Sequence, residues 1–587
     1  MNIHSIIARA GLALLVLSFW TVMSAPVAAQ PATQQGFAVR ASQASPVTGV
    51  VRLTADVWDE PGLIGVYFGV DGYMQEAIRR NAPYDIWWSA ASAANGEHTI
   101  TAKAQYASGE WVQSAPLRLT VANPVAFNRT LYVDAANGDD ARDGLSPSGA
   151  WRTLDKANVS VVAGDTVLLQ GTFTGQRVAP TVSGSAARPI KFTSYPETMA
   201  VLDAGRTGRA VLLDAGRSHI VLERLRIQNV PGYAIEITAG AHHNVVRDSY
   251  ITGSGNATVW GHGVRITQSS DNIVEGNQIV DTGDERANSG DGVWIADGAS
   301  RNRILNNRLT NGGHSLVQVG GDQPDDADVI DNVVARNVMS NRWATPLILS
   351  WRSRWTLVES NRISDGARNG VTTPRPGIQI AASDNIIRYN EVFDNTGAAL
   401  QVAGFGFVSR GQDRPIMQDS IGNAIYFNVF YGNGVAPDQN RATAMAQPAG
   451  ADRAGLAILM FEQDGRTVRD NVFAYNIFYR NSGFAFGGAV YSIVIDHFQA
   501  AAWPESSLNG NQILNNILLR EPGSAGEVAV LHVRRPADGE NVSYTLPQFE
   551  AVHPEVANNL EVDPRFTDEA NRVFTLRNDS PARNAGW

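Results

Sequence analysis

The chain has 587 residues, 47 of them basic and 57 acidic, a formal net charge of −10 and no cysteine. Without cysteine there are neither disulfides nor thiolate metal sites, so packing and backbone hydrogen bonds must hold the fold, and any metal would use oxygen or imidazole ligands. The acidic balance argues against general binding of nucleic acid or anionic membranes.

In chain order, the first 29 residues read as a secretory signal peptide. Arg9 precedes the apolar run AGLALLVLSFWTVM (10–23), and the small-residue site APVAA stands ahead of Gln30, with cleavage expected near Ala29. The run is shorter than the roughly 20 residues of a membrane span, and nothing later is apolar enough. The mature chain is therefore expected without a transmembrane segment: secreted, at the bacterial cell surface or in the periplasm. Between 37 and 122 the segments VVRLTADVWD, IGVYFGVDG, YDIWWSA, GEHTITAKAQYA and APLRLTVAN are short alternating runs parted by turn residues, which predict a small β-sandwich. Their order resembles the bacterial Ig-like modules, and that resemblance implies a spacer or adhesion role. Residues 123–130 read as a linker.

From about 206 a repeat governs the chain. GYAIEI (232–237), GHGVRI (261–266), GDGVWI (290–295), HSLVQV (314–319), ATPLIL (344–349), RPGIQI (375–380), GAALQV (397–402) and RAGLAI (453–458) mostly recur at 22 to 31 residues. A second frame places Asn277, Asn307, Asn337, Asn361, Asn390, Asn428, Asn476 and Asn516 in step, with Ser249 at the first rung. A unit this thin cannot bury its own apolar face and becomes stable only by stacking on its neighbours. Identical asparagines about 4.8 Å apart can hydrogen-bond as a ladder while holding a tight bend. Pairs such as Val264/Ile266 and Val293/Ile295 form the inward stack, with period two.

These repeats, with the opening YVDAANGDDARDGLSP…WRTLDKA…AGDTVLLQGTF and the closing VDPRFTD…FTLRNDSPARNAG, resemble the right-handed parallel β-helix superfamily of pectate lyases and polygalacturonases over about 130–587. The resemblance implies an all-β chain: an N-terminal cap and first coils over 131–205, the parallel β-helix over 206–520, and a C-terminal coil and cap over 521–587. It also implies a polysaccharide partner; the chain is expected to be a monomer.

A residue between two inward ones points outward, which sets Glu236, Arg265, Trp294, Gln318, Ile348, Gln379 and Gln401 in one row. Tyr233, His262, Asp291, Ser315 and Thr345 form the row beside it. The catalytic candidates are Glu236, His262, Arg265, Asp291, His314 and Arg375, because imidazole and carboxylate groups move protons and guanidinium binds carboxylates at two points. Trp260, Trp294, Gln318, Trp343, Trp351, Arg352 and Arg354 are candidates for substrate binding. The acidic loop with Asp322, Asp325 and Asp326 is a candidate calcium site, since calcium takes several oxygen ligands.

Three function classes stay open. The first is a lyase that cleaves a uronate polymer by β-elimination, with calcium or arginine neutralising the carboxylate. The resemblance implies arginine or lysine as base, as in calcium-dependent pectate lyases of this fold; only Lys103, Lys156 and Lys191 occur, so with no lysine after 191 Arg265 or Arg375 would have to serve, or His262 instead. The second is a glycoside hydrolase, needing two carboxylates from Glu236, Asp291 and Glu285, or an epimerase. The third is a non-catalytic surface or polysaccharide-binding protein.

Overall fold

The computed structural model describes residues 37–585 apart from local segments, those of six residues or more being 75–82, 123–128, 368–373, 408–415, 435–453, 461–467, 498–507 and 535–540. The expected leader and most of the expected linker lie outside the described residues. Among the described residues no helix is long and apolar enough to cross a membrane.

The N-terminal unit holds two antiparallel sheets. One contains Ala38–Ala41, Val50–Asp56 and Asp85–Ser89; the other contains Leu63–Val70, Tyr73–Met74, Gly96–Tyr106, Trp111–Gln113 and Leu117–Val121. Alternate residues of both, among them Val51, Leu53, Val66, Phe68, Ile86 and Ile100, share one buried core, which fits a small sandwich.

Among the described residues the second unit is a parallel β-helix of three long sheets. The first has fourteen strands from Thr130–Asp134 to Val556–Ala557, and the second has twelve from Thr172–Thr174 to Ile517–Leu519. The third also has twelve: it begins at Arg209–Leu213, runs parallel to Val528–Arg534, and ends with Asn541–Thr545 paired antiparallel. The inward stack Ile235–Val264–Val293–Val317–Leu347 is fully buried, as is its neighbour Ile237–Ile266–Ile295–Val319–Leu349.

The expected asparagine ladder is present. Each Asn Nδ2 donates to the Oδ1 of the next, from Asn277 through Asn307, Asn337, Asn361, Asn390, Asn428 and Asn476 to Asn516 and Asn559. The residue ahead of each rung is left-handed, as in Asn306, Arg336, Ser360, Tyr389 and Phe427 with φ near 56°. A non-glycine residue there costs about 1–2 kcal/mol, and the satisfied buried amides offset it. A second ladder runs at the other end of the first sheet, through Asn244, Asn272, Asn302 and Asn332, then Asn385, Asn423, Asn471 and Asn511.

Candidate functional site

The outward row of the third sheet is in the expected register: Glu236 pairs with Arg265, Arg265 with Trp294, Trp294 with Gln318, and so on through Ile348, Gln379 and Gln401. The glycines of GHG and GDG explain how the neighbouring row comes so close. A Cβ on Gly263 would meet the Gly292 carbonyl at 2.6 Å, and one on Gly292 would meet the Leu316 carbonyl at 2.5 Å. Only glycine lets these strand starts stack directly, which sets His262, Asp291 and Ser315 one above another.

Asp291 is the centre of the site. Its Oδ1 accepts from Ser315 Oγ at 2.6 Å and lies 3.0 Å from His314 Nδ1; its Oδ2 lies 3.1 Å from His262 Nδ1. Burial by itself would raise the Asp291 pKa. The charge of His314 and the hydrogen bonds from His262 and His314 outweigh burial and hold the carboxyl well below the usual range. An ionised carboxylate can only accept, so His314 Nδ1 carries a proton whether the ring is charged or neutral, and in the neutral ring Nε2, on the far side, has the lone pair. His262 Nδ1 also accepts the Asp291 backbone N–H at 3.1 Å. That one nitrogen thus faces both the backbone amide and the carboxylate of the same aspartate.

Beside this triad lies a cationic, aromatic patch. Glu236, almost fully buried, accepts from both Arg209 and Arg265, the latter at 2.6 Å. The Arg265 guanidinium lies between the rings of Tyr233 and Trp294, 4.9 and 5.2 Å from their centroids. Tyr233 stacks on His262 at 5.3 Å, and Trp294 lies 4.9 Å from the same imidazole. Half-exposed Trp260 stands 5.6 Å from His314. Two cations thus share one carboxylate.

Glu236, Trp260, His262, Arg265, Asp291, Trp294 and His314 therefore come together. The expectation that both rows face solvent does not hold for His262 and Asp291, each 1% exposed, because the stacked strand starts and the rings of Tyr233 and Trp294 enclose them. Gln318 is also buried and donates to Ser350 Oγ. Arg375 sits on no strand; its Nη2 donates to Asn288 Oδ1 at 3.0 Å. Trp343 is half-buried in the loop before Thr345–Leu349. Trp351 bridges to Gly321, while Arg352 and Arg354 face Asp328 at 3.5 and 4.0 Å, in a surface ion cluster of the turn that leaves the strip. Asp322 and Asp325 lie outside the described residues, and Asp326 is half-buried. Among the described residues no group of three or more His, Asp or Glu side chains converges as a metal site would.

Sequence reasoning missed Arg209, which pairs in register with Tyr233. The signal was present in GRAVLL (208–213), one coil ahead of the first aligned repeat. It also gave no role to Ser315 or Asn288.

Solved structures similar to this chain include an alginate lyase from Paenibacillus sp. str. FPU-7, 18% identical over 63% of this chain and 99% of its own, with a TM-score of 0.35. A lacto-N-biosidase from Eubacterium ramulus is 15% identical over 66% and 67%, at 0.37. The A-module of a mannuronan C-5 epimerase from Azotobacter vinelandii is 12% identical over 60% and 86%, at 0.34. A comparison with curated proteins finds no match. Residues 205–334, which carry Glu236, His262, Arg265, Asp291 and His314, match the family model described as right handed beta helix region.

Proposed function

We propose that this is a carbohydrate-active protein and, within that class, a lyase that cleaves an acidic, uronate-containing polysaccharide by β-elimination. The observation that carries the reading is the His314–Asp291 pair beside the Arg209–Arg265 patch. The arginines and the rings of Tyr233, Trp260 and Trp294 hold the polymer, with guanidinium on the sugar carboxylate. His314 Nε2 takes the proton on the carbon next to that carboxylate. The electron pair forms the new carbon–carbon double bond, the bond to the glycosidic oxygen breaks, and that oxygen takes a proton from the imidazolium or water. Asp291 steadies the imidazolium.

The hydrolase alternative fits less well. A glycosidase needs one protonated carboxyl as acid, whereas Glu236 lies between two arginines and Asp291 is kept anionic and buried. As bases, Arg265 and Arg375 are weakened by their engagement with Glu236 and Asn288, and His262 by its burial. The proposal extends to export through residues 1–29, to a monomer, to the N-terminal sandwich as an Ig-like spacer, and to calcium at the 322–326 loop as an aid to binding.

The test is ultraviolet absorbance of the purified protein with pectate, alginate and glycosaminoglycan polymers, with calcium and with chelator. A rise on one polymer supports elimination and names the substrate. New reducing ends without absorbance would replace the reading with hydrolysis, and retention of polymer with neither would replace it with binding alone.

A further inference from the structure

Basic residues on the outward faces of the solenoid sheets mostly take a carboxylate from a neighbouring coil. Glu223 receives Lys191 and Arg247, Glu236 receives Arg209 and Arg265, Glu359 receives Arg388, and Glu391 receives Arg362. Arg303 lies in the fields of Asp271 and Glu275. Opposite charges on adjacent strands stabilise a sheet, and that accounts for these pairs. Two arginines depart from the pattern, and both stand in one row on the outward face of the second sheet. Among the described residues neither Arg226 nor Arg308 pairs with a carboxylate. Arg226 Nε donates to Gln228 Oε1 at 2.7 Å and its guanidinium lies 4.9 Å from the Tyr250 ring centroid, while Arg308 is exposed.

The row runs Arg226, Tyr250, Gln278, Arg308 and Val338, one residue to a coil. All but half-buried Tyr250 are exposed. With strands about 4.8 Å apart, the two arginines stand three coils or about 14 Å from each other. Thr252, Val280 and Thr310 fill the row beside them, so neither row carries a carboxylate from the coil of Tyr250 to that of Arg308. Asp248 and Asp281 occupy left-handed bends at the two edges, and Asp281 accepts from Asn311 at 2.9 Å. Farther along, the C-terminal residues Phe566 and Phe574 pack on this face at Phe393 and Tyr431.

A small anion would meet one guanidinium and leave the other as it is. Nucleic acids and anionic membranes are held by dense positive charge, and here two cations are spread over three coils. A polymer of sugar acids fits better. Its carboxylates recur along its length and match guanidinium forks at two points, Tyr250 offers a ring face, and Gln278, Thr252 and Thr310 can bond its hydroxyls. A guanidinium lying on a tyrosine ring also serves at Arg265 and Tyr233 in the site on the third sheet.

We propose that the outward face of the second sheet, from Arg226 to Arg308, is a second binding strip for an acidic polysaccharide. It lies on a different sheet from His314 and holds the polymer while the site works on it. The inference rests on the reading of the substrate as a uronate polymer and adds a second point of attachment.

The experiment measures retention of long pectate, alginate and glycosaminoglycan chains by the full-length protein and by the Arg226→Gln/Arg308→Gln double variant, with urea midpoints to confirm that both fold. Affinity for the retained polymer is expected to fall at least fivefold in the variant, because a second attachment raises the effective concentration of polymer at the site. Unchanged affinity, or no retention of any of the three polymers by the wild-type protein, overturns the proposal. So does retention of polyglutamate that the variant loses to the same extent, which would make the partner an acidic polypeptide.

Absorbance separates the strip from the chemistry. The variant should raise KM for the long polymer with kcat unchanged, and leave both constants unchanged on an oligomer too short to reach both faces. Polymer retention without absorbance, weakened in the variant, would support the strip and remove elimination. Absorbance with wild-type retention and KM in the variant would support elimination and remove the strip.

Discussion

At the residue scale the decisive feature is one carboxylate with two imidazoles. His314→Asn keeps a polar side chain at the site but removes the basic nitrogen, and is expected to lower turnover by about 100-fold to 10,000-fold with little change in polymer retention. Absorbance and binding assays on the same preparation check this. Asp291→Asn frees His314 Nδ1 from an anionic partner, so the imidazolium loses its counter-charge. The acid limb of the rate profile should move to lower pH while maximal turnover also falls. If the profile kept its shape, Asp291 would be a structural group alone. Much of this site was legible in the sequence, because GHG, GDG and HSLVQV repeat in phase and the outward residues could be read off by alternation. The depth of the site was not, because burial of His262 and Asp291 depends on how closely two glycine-bearing strands approach, and spacing along the chain says nothing of that.

At the scale of elements, the ladders and turn columns set the stability. Asn337 Nδ2 donates to Asn361 and to the Ile304 and Ala335 carbonyls, and its Oδ1 accepts from the amide and side chain of Asn307. Asn337→Ala strands several buried partners and is expected to cost about 2–4 kcal/mol, read as a lower urea midpoint; Asn337→Gln should not rescue it, because the bend has no room for another methylene. A pH effect belongs to the column His219–His243–Asp271–Arg301, all left-handed. His219 and His243 stack at 5.2 Å, and burial first, then the charges of His243 and His242, pushes the His219 pKa down to about 4. Above pH 6.5 neither the folded nor the unfolded chain binds this proton, so the group contributes nothing. Between 6.5 and about 4 the unfolded chain takes the proton and the folded one refuses it, so stability falls across that window, on the order of 1 kcal/mol after solvent screening. His219→Asn, suited to the left-handed turn, should flatten the urea midpoint between pH 7 and 4.5, and an unchanged slope would assign the effect to other groups. The first ladder was readable because its asparagines fall five residues after a recognisable frame. The second was overlooked because its asparagines open the frame, where a turn residue is expected anyway.

At the scale of the whole molecule, a solenoid is held by neighbour-to-neighbour contacts, so its ends should fray first. The C-terminal residues counter this at one end. The hairpin Phe566–Asp568/Val573–Leu576 lies on the outward face of the second sheet, where Phe393, Tyr431, Tyr479 and Leu519 join Phe566 and Phe574 in a buried cluster. Polar contacts tie it to successive coils. Arg572 pairs with Asp394 at 2.8 and 3.0 Å, its carbonyl accepts from Arg362, and Glu569 meets Tyr431 and Arg480. No repeat period could reveal this, since the partners stand 89 to 210 residues apart in sequence. The hairpin is therefore expected to join four coils that would otherwise open in turn into one cooperative block. A chain ending at Asp563 should bind a hydrophobic dye and lose about 3–5 kcal/mol in those coils. Hydrogen exchange should accelerate there while the coils of Glu236 to His314 keep their protection and the site its polymer binding. Uniform loss of protection along the solenoid would instead mean that the β-helix unfolds as one unit and the hairpin is no more than a cover.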